Sequence, residues 1–271
     1  MKRFLVLPIL FFLAACNSKA PAPAHTTLPS PAAPVTIAPN LSVLEIEKGV
    51  FVVSHEFPIA QANSMVVDIS PKDLLIIDAP WTSASTRDLL KWAKDTFGDR
   101  KITAINTHSH MDRVAGNDVF LAEGADVYSS DLTIKYVKKS KPTELKSLAS
   151  RVSDPAIKAE FAKMKIREAN HSFPLKEGKT LSFGEKKAEI FYPGHGHTKD
   201  NVVVYLPDYK ILYGGCFIVG LPKLGYIKEA DLKEWPKALD KMSRFDAKWV
   251  IPGHGTSYSP DLIEHTKKLV K

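Results

Sequence analysis

Four short clusters of histidine, aspartate and cysteine are the residues of this sequence best suited to chemistry. They read THSHMDR at 107–113, GHGHT at 194–198, GGC at 214–216 and GHG at 253–255. Imidazole nitrogen, thiolate sulfur and carboxylate oxygen are the donors that zinc accepts in proteins. Each cluster alone is weak evidence, because short histidine motifs arise by chance and a lone cysteine often only fills a core. Together they favour a metal centre, with these candidate donors: His108, His110, Asp112, His195, His197, Cys216 and His254.

The elements that must position these donors are strands, since each cluster follows an apolar run of strand type. The runs are KITAIN, EIFYP, KILY and KWVIP. In mixed α/β architectures the loops after such strands converge at one edge of the sheet and carry sites. Apolar residues at helical spacing predict helices over 82–98, 231–245 and 259–270, and helical structure over 142–169 on both sides of Asp154 and Pro155. We therefore expect sheets covered by helices.

The N-terminal segment is predicted to be separate from the fold. Lys2 and Arg3 precede an apolar run that ends in Ala14, Ala15 and Cys16, which resembles a bacterial lipobox. Residues 1–15 are interpreted as a lipoprotein-type signal peptide, with Cys16 lipidated; a soluble signal peptide is the alternative. Residues 16–40 are rich in proline and alanine and are predicted to form a linker. Residues 41–271 then form one domain.

Charge and cysteine content exclude some partners. The net charge of +7 is mild, and the lysines lack the interleaved aromatic residues of a nucleic-acid platform, so nucleic acid is not an expected partner. With Cys16 lipidated, Cys216 is the remaining cysteine, and an intramolecular disulfide is excluded.

The motifs HSHMDR, PGHGHTKDNVVVYLP, GGCFI and IPGHG occur in the order that metallo-β-lactamases of subclass B1 have, and the chain resembles that family from about residue 43 to its C-terminus. The resemblance implies an α/β (α+β) fold, the αββα sandwich. Two mixed β-sheets would pack face to face with helices on the outer faces and the metal site at one edge. It also implies two Zn²⁺ per monomer, the first held by His108, His110 and His197, the second by Asp112, Cys216 and His254.

The implied activity is zinc-dependent hydrolysis of the β-lactam amide bond in penicillins, cephalosporins and carbapenems, which confers resistance. Hydroxide at the first zinc would attack, and the second zinc would stabilise the leaving nitrogen. Asp112 and Asn201 are the implied catalytic residues, Asn201 by contact with the lactam carbonyl, although it could equally begin a strand. Asp78 and Arg113 are expected to support the ligands from behind, although Asp78 could be an ordinary strand-end carboxylate.

The sequence also departs from the family pattern. Val219 stands where relatives usually have a lysine that binds the substrate carboxylate, and Lys223 is predicted to take that role. Phe57 and Ile59 belong to a short apolar loop that either covers the substrate or packs onto the core. His195 occupies a position that is usually proline or a small residue, so it is predicted not to be a ligand, and its role is left open.

Two other functions are compatible with parts of the pattern. Lactonases and thioester hydrolases of the same superfamily share the H-x-H-x-D motif, but Arg113 and Cys216 replace the histidine and aspartate that they usually have. The second alternative is a zinc-binding lipoprotein without turnover. We expect a monomer in the periplasm, attached to the outer membrane of a Gram-negative bacterium only through its lipid anchor, or else soluble there.

Overall fold

The structure is a computed structural model that describes residues 33–271, apart from the side chains of residues 140–142. The predicted signal peptide, Cys16 and most of the predicted linker lie outside the described residues. Within them, no helix has the length and apolar character needed to cross a membrane.

The first sheet contains eight strands that lie in chain order. They are β1 (Val35–Ala38), β2 (Leu41–Glu47), β3 (Val50–His55), β4 (Ala62–Asp68), β5 (Asp73–Ile77), β6 (Lys101–Ile105), β7 (Asp126–Ser130) and β8 (His171–Phe173). Neighbours from β1 to β5 are antiparallel, whereas β5 to β8 are parallel. Parallel neighbours require crossover connections, and helices provide them. These are α1 (Ser83–Phe97), α2 (Met111–Val114), α3 (Asn117–Ala122), α4 (Asp131–Ala149) and α5 (Pro155–Lys163).

The second sheet contains five strands in the order β13-β12-β11-β10-β9. They are β9 (Lys179–Phe183), β10 (Lys186–Phe191), β11 (Val203–Leu206), β12 (Ile211–Gly215) and β13 (Trp249–Pro252). Only the β12–β13 pair is parallel, and the long connection between these strands contains α6 (Trp235–Asp240). Helix α7 (Leu262–Leu269) follows β13.

Each sheet has one face covered by helices. Leu89 and Ala93 of α1 share a buried cluster with Val66 and Ile76 of the first sheet. A second cluster joins Trp235, Leu239 and Leu262 of α6 and α7 to strand residues Val203, Leu212 and Val250. These clusters form the two outer layers.

The opposite faces of the two sheets pack against each other. Met65 and Val67 alternate with Val66 along β4, and they are fully buried although they point away from the helices. Across the interface the Tyr213 hydroxyl donates to the Asn63 backbone oxygen at 2.6 Å. The predicted αββα sandwich is therefore confirmed.

Two element boundaries differ from the predictions. Residues 35–38, predicted to belong to the linker, form β1, in which Val35 pairs with Val43. These four residues are Val, Thr, Ile and Ala, with no proline, so this part of the predicted linker can pair along the edge of the sheet. Within 142–169 the break falls at Asp154, as predicted, because Asp154 caps α5, but the helix ends at Lys163 and residues 164–169 are not helical.

Candidate metal centre

The ends of strands β6, β10, β12 and β13 bring the predicted ligands to one edge of the sandwich. They form three overlapping groups, and within each group the donor atoms lie within 4.8 Å of one another. The groups are His108, His197 and Cys216; His108, His110 and Asp112; and Asp112, Cys216 and His254. All six residues predicted as ligands are thus brought together, and His195 is in none of the three groups.

Three imidazole rings form a triangle at this edge. The ring centroids of His108, His110 and His197 are 4.7, 5.0 and 5.1 Å apart. Nδ1 of His110 lies 3.2 Å from Nε2 of His197. Burial lowers the pKa of His197 well below its usual range, which keeps this ring neutral. Neutral, converging imidazoles are the donors that a zinc ion requires.

The neighbouring set combines a carboxylate, a thiol and an imidazole. Sγ of Cys216 lies 3.2 Å from Nε2 of His254 and 3.8 Å from Oδ2 of Asp112. Burial acts to raise the pKa of Asp112, but Arg113 and the nearby histidines outweigh it and lower this pKa to about 2. Burial raises the pKa of the Cys216 thiol. Because a bound metal displaces the thiol proton, a soft divalent cation such as zinc fits this donor set.

Arg113 supports the second set from beneath. Its side chain is completely buried, and one guanidinium nitrogen donates to Asp112 at 2.6 Å and to Cys216 at 3.0 Å. The other nitrogen donates to the Asn63 backbone oxygen at 2.6 Å. The guanidinium therefore offsets the negative charge of these two ligand side chains and fixes their positions.

Asp78 supports the loop that carries His108. It directly follows β5 in a left-handed conformation, with φ of 61°, and accepts two hydrogen bonds of 2.7 Å from Thr107, one from the backbone N–H and one from the hydroxyl. Burial raises the pKa of Asp78 to about 6. Since the Thr107 hydroxyl donates to Asp78, its oxygen accepts from Nδ1 of His108 at 3.2 Å, which leaves Nε2 of that ring for a metal.

Two further residues support the ligands, and no sequence motif marks either of them. Oε2 of Glu229 lies 3.0 Å from Nε2 of His110, so this carboxylate fixes the ring with Nδ1 towards the other histidines. The backbone oxygen of Gln61 accepts from Nδ1 of His254, and the Gln61 side chain accepts from Gly255 N at 2.7 Å. Glu229 and Gln61 lie in connecting segments without a recognisable motif, and only the fold brings them to the ligands.

Asn201 lies behind the metal loop, not in the groove where a lactam carbonyl contact would place it. Its amide oxygen accepts from the backbone N–H groups of Gly196 and Thr198 at 3.2 and 3.1 Å. Its amide nitrogen donates to the Gly194 oxygen at 2.9 Å, and the side chain is buried. The structure therefore shows Asn201 holding the loop on both sides of His197.

His195 has a structural partner of its own. Its Nε2 lies 2.8 Å from the backbone oxygen of Glu229, to which it donates. Nδ1 lies 3.8 Å from a carboxylate oxygen of Asp231. His195 thus connects the loop of His197 to the segment that carries Glu229.

A groove of about 590 Å³ opens above the two donor sets. Ile59 and Trp81 line one part of it, Val219 and Tyr226 another, and residues of α4 a third. Lys223 is exposed and is not among the lining residues. Phe57 stacks on Trp81 with ring centroids 5.4 Å apart and contacts Phe161, so this residue of the apolar loop packs on the core while Ile59 reaches the groove.

Comparisons of the sequence with known proteins all find relatives of one family. The family model of the metallo-β-lactamase superfamily matches residues 58–254. "Metallo-beta-lactamase type 2" of Bacillus sp. (strain 170) is 32% identical over 217 residues, which are 78% of this chain and 73% of the relative. The protein of the same name from Pseudomonas aeruginosa is 32% identical over 275 residues, 98% of this chain and 92% of the relative.

Solved structures agree with this result. The crystal structure of DIM-1 metallo-β-lactamase exposed to ceftazidime matches with a TM-score of 0.71 and 29% identity, over 86% of this chain and 97% of that one. A structure of TMB-1 matches with a TM-score of 0.69 and 33% identity, over 86% of this chain and 98% of that one.

Proposed function

Because this chain belongs to the metallo-β-lactamase superfamily, we propose that it is a zinc-dependent enzyme that hydrolyses the β-lactam amide bond in the manner of subclass B1. The observation that carries the proposal is the triangle of three imidazoles beside an Asp–Cys–His set at the base of an open groove. His108, His110 and His197 would hold one zinc ion, and Asp112, Cys216 and His254 a second. When bound, the two ions supply an activated water and stabilise the anion left on the departing nitrogen.

The chain's own residues prepare the groove for this reaction. Arg113 keeps Asp112 ionised and compensates the charge of a Cys216 thiolate. Thr107 and Glu229 fix the rings of His108 and His110, each through the nitrogen that does not face the other ligands. Such fixed orientation lowers the reorganisation needed when charge develops in the reaction. The apolar lining from Ile59, Trp81 and Val219 would bind the body of a small β-lactam and exclude water.

The substrates proposed are penicillins, cephalosporins and carbapenems, and their hydrolysis would confer resistance. The names of the relatives support a β-lactam substrate. The decisive experiment measures turnover of nitrocefin and imipenem by the purified protein, with and without a zinc chelator. Hydrolysis that the chelator abolishes supports the proposal. Absence of hydrolysis with two zinc ions bound would favour a zinc-binding protein without turnover.

We also propose a cellular location from the N-terminal sequence. Lys2, Arg3, the apolar run and Cys16 support export, lipidation of Cys16 and attachment of a monomer to the outer membrane on the periplasmic side, with a soluble periplasmic protein as the alternative. Fractionation of cells that express the full chain tests this. Cys16→Ser should move the protein out of the membrane fraction, and an unchanged distribution would exclude the lipid anchor.

A further inference from the structure

One wall of the groove carries a polar stripe that the proposed function does not explain. Thr143, Ser147 and Arg151 all line the groove. They are spaced by four residues, and the Arg151 backbone N–H continues the helical turn by donating to Leu148 O at 3.0 Å. Residues four apart lie on the same face of a helix, so two hydroxyls and a guanidinium follow one another along this wall.

Arg151 is the one lysine or arginine among the described residues that line the groove. Its guanidinium has no hydrogen bond or ion pair with any residue in the described part of the chain. The lining acids are Asp112, Glu144 and Glu229. Asp112 bonds to Arg113, Glu229 contacts His110, and Glu144 accepts from the Met111 backbone N–H at 3.4 Å. Arg151 therefore remains available to an anionic group in the groove.

Tyr226 locates Arg151 relative to the metal centre. The Tyr226 ring lies 5.5 Å from the His110 ring, measured between centroids. Burial raises the pKa of Tyr226, as do Glu229 and Glu144, whereas the positive charge of Arg151 acts in the opposite direction. Tyr226 is thus close to His110 and within electrostatic range of Arg151.

The other wall offers no cation. Val219 lines the groove at the position where a lysine would be expected, and Lys223 is exposed and outside the lining. β-Lactams carry a carboxylate on the ring fused to the lactam, and some carry a second one on the side chain. An unpaired guanidinium binds a carboxylate through two parallel hydrogen bonds, and neighbouring hydroxyls can add a third.

We propose that Arg151, with the hydroxyls of Thr143 and Ser147, forms a subsite on the α4 wall that binds a carboxylate of the substrate. The subsite rests on the proposed function, because it assigns part of the β-lactam to this wall of the groove. It supplies the cation that the groove lining lacks at Val219.

The test compares steady-state kinetics of the zinc-loaded wild type with Arg151→Ala, Arg151→Lys and Lys146→Ala. Lys146 is an exposed residue of α4 outside the groove, so its variant removes an equal charge. The substrates are benzylpenicillin, its methyl ester and carbenicillin, which has an additional side-chain carboxylate. Thermal unfolding verifies that all four proteins are folded.

We expect Arg151→Ala to raise KM about tenfold with little change in kcat, since the loss is one charge-assisted contact. Arg151→Lys should recover part of this loss, Lys146→Ala should behave like wild type, and added salt should reduce the difference. A rise for benzylpenicillin but not for its ester assigns the subsite to the ring carboxylate. A rise confined to carbenicillin assigns it to the side chain.

The proposal is overturned if both penicillins keep the wild-type KM in Arg151→Ala, or if Lys146→Ala has the same effect. If the zinc-loaded wild type shows no turnover, the proposed function fails, and calorimetric binding of both intact penicillins then tests the subsite. Binding about tenfold weaker in Arg151→Ala would support the subsite without catalysis, whereas equal binding would exclude it.

Discussion

Two histidines of one loop, His195 and His197, differ in their contacts although a single glycine separates them. His197 is buried, its Nε2 faces Nδ1 of His110 and its ring is held neutral by burial. His195 is only partly buried and donates to a backbone oxygen. The resemblance to subclass B1 implies the same ligand, because it places His197 at the family's ligand position. A fourth nitrogen at the first zinc would close the position that water needs, so one of the two histidines is expected not to bind.

Substitution of each histidine separates the two roles. His197→Ala should remove one of three nitrogen donors and lower zinc affinity at the first site by at least about tenfold. His195→Ala should leave zinc affinity near the wild-type value, because it removes one exposed hydrogen bond to Glu229. Competition with a chromophoric chelator measures both affinities. The reverse ranking of the two variants would contradict the assignment.

The residues that support the ligands were partly predictable. Asp78 and Arg113 lie next to recognisable motifs, and the structure places both in contact with the ligand loops. Glu229 and Gln61 contact His110 and His254 across large sequence separations. Such contacts depend on how the connecting loops fold back onto the ligands. The spacing of residues within a motif carries no information about the path of these loops.

At the scale of elements, the loop between β10 and β11 is fixed by close packing as well as by Asn201. A Cβ atom at Gly196 would lie 2.6 Å from the Phe217 ring and 2.8 Å from the Trp235 ring. Both rings belong to the buried cluster under α6, so neither can move easily. The residue between the two histidines must therefore be glycine for His197 to reach the centre.

Gly196→Ala tests this packing. We expect a loss of about 1–3 kcal/mol in the free energy of unfolding, because the added methyl group overpacks a filled site, and weaker binding of the first zinc. Gly225→Ala is the matched control, since a Cβ at Gly225 meets nothing within 4 Å. Urea unfolding and zinc titration of both variants measure the effects. Wild-type stability and zinc affinity in Gly196→Ala would show that the loop is not constrained in this way.

Elements were predictable where the periodicity was strong. Helix α1 over Ser83–Phe97 follows its apolar spacing closely, with Thr82 as the N-terminal cap. Strand β1 could not be predicted, because it depends on pairing with β2. A run of four residues does not indicate such a tertiary contact. Helix α5 ends at Lys163 although the sequence beyond it has helical character, so tertiary context overrides local propensity there.

At the scale of the whole molecule, His55 connects the first sheet to the start of α1. It ends β3, its Nδ1 accepts from the Trp81 backbone N–H at 3.2 Å, and its Nε2 lies 3.2 Å from the Ser85 hydroxyl. Burial lowers the pKa of His55 to about 4. The acceptor role of Nδ1 requires the neutral ring.

This arrangement predicts a pH dependence of stability. In the unfolded chain the pKa of His55 returns to about 6.5, so between about pH 6.5 and 4 the unfolded state binds more protons. The free energy of unfolding should therefore decrease as the pH falls through this window, by roughly 3 kcal/mol from this group. Above pH 6.5 its contribution is constant.

The His55→Gln variant should lose this part of the pH dependence. Urea unfolding of wild type and variant between pH 4 and pH 7 measures the difference between the two curves. Parallel curves over the whole range would show that His55 does not titrate differently in the folded and unfolded states.

The whole architecture was accessible from sequence because the motifs are family-specific. The resemblance to subclass B1 and the αββα sandwich are both confirmed. The cation in the groove lining could not be predicted from the sequence, because Arg151 reaches the groove from the turn after α4, far in sequence from every ligand motif.

The most direct test of a two-zinc β-lactam hydrolase is the initial rate of nitrocefin hydrolysis while metal-free protein is titrated with zinc. The rate should be negligible without zinc, increase until two equivalents are bound to the two donor sets, and disappear when a chelator is added. Two bound zinc ions without hydrolysis, or hydrolysis that persists without metal, would contradict this account.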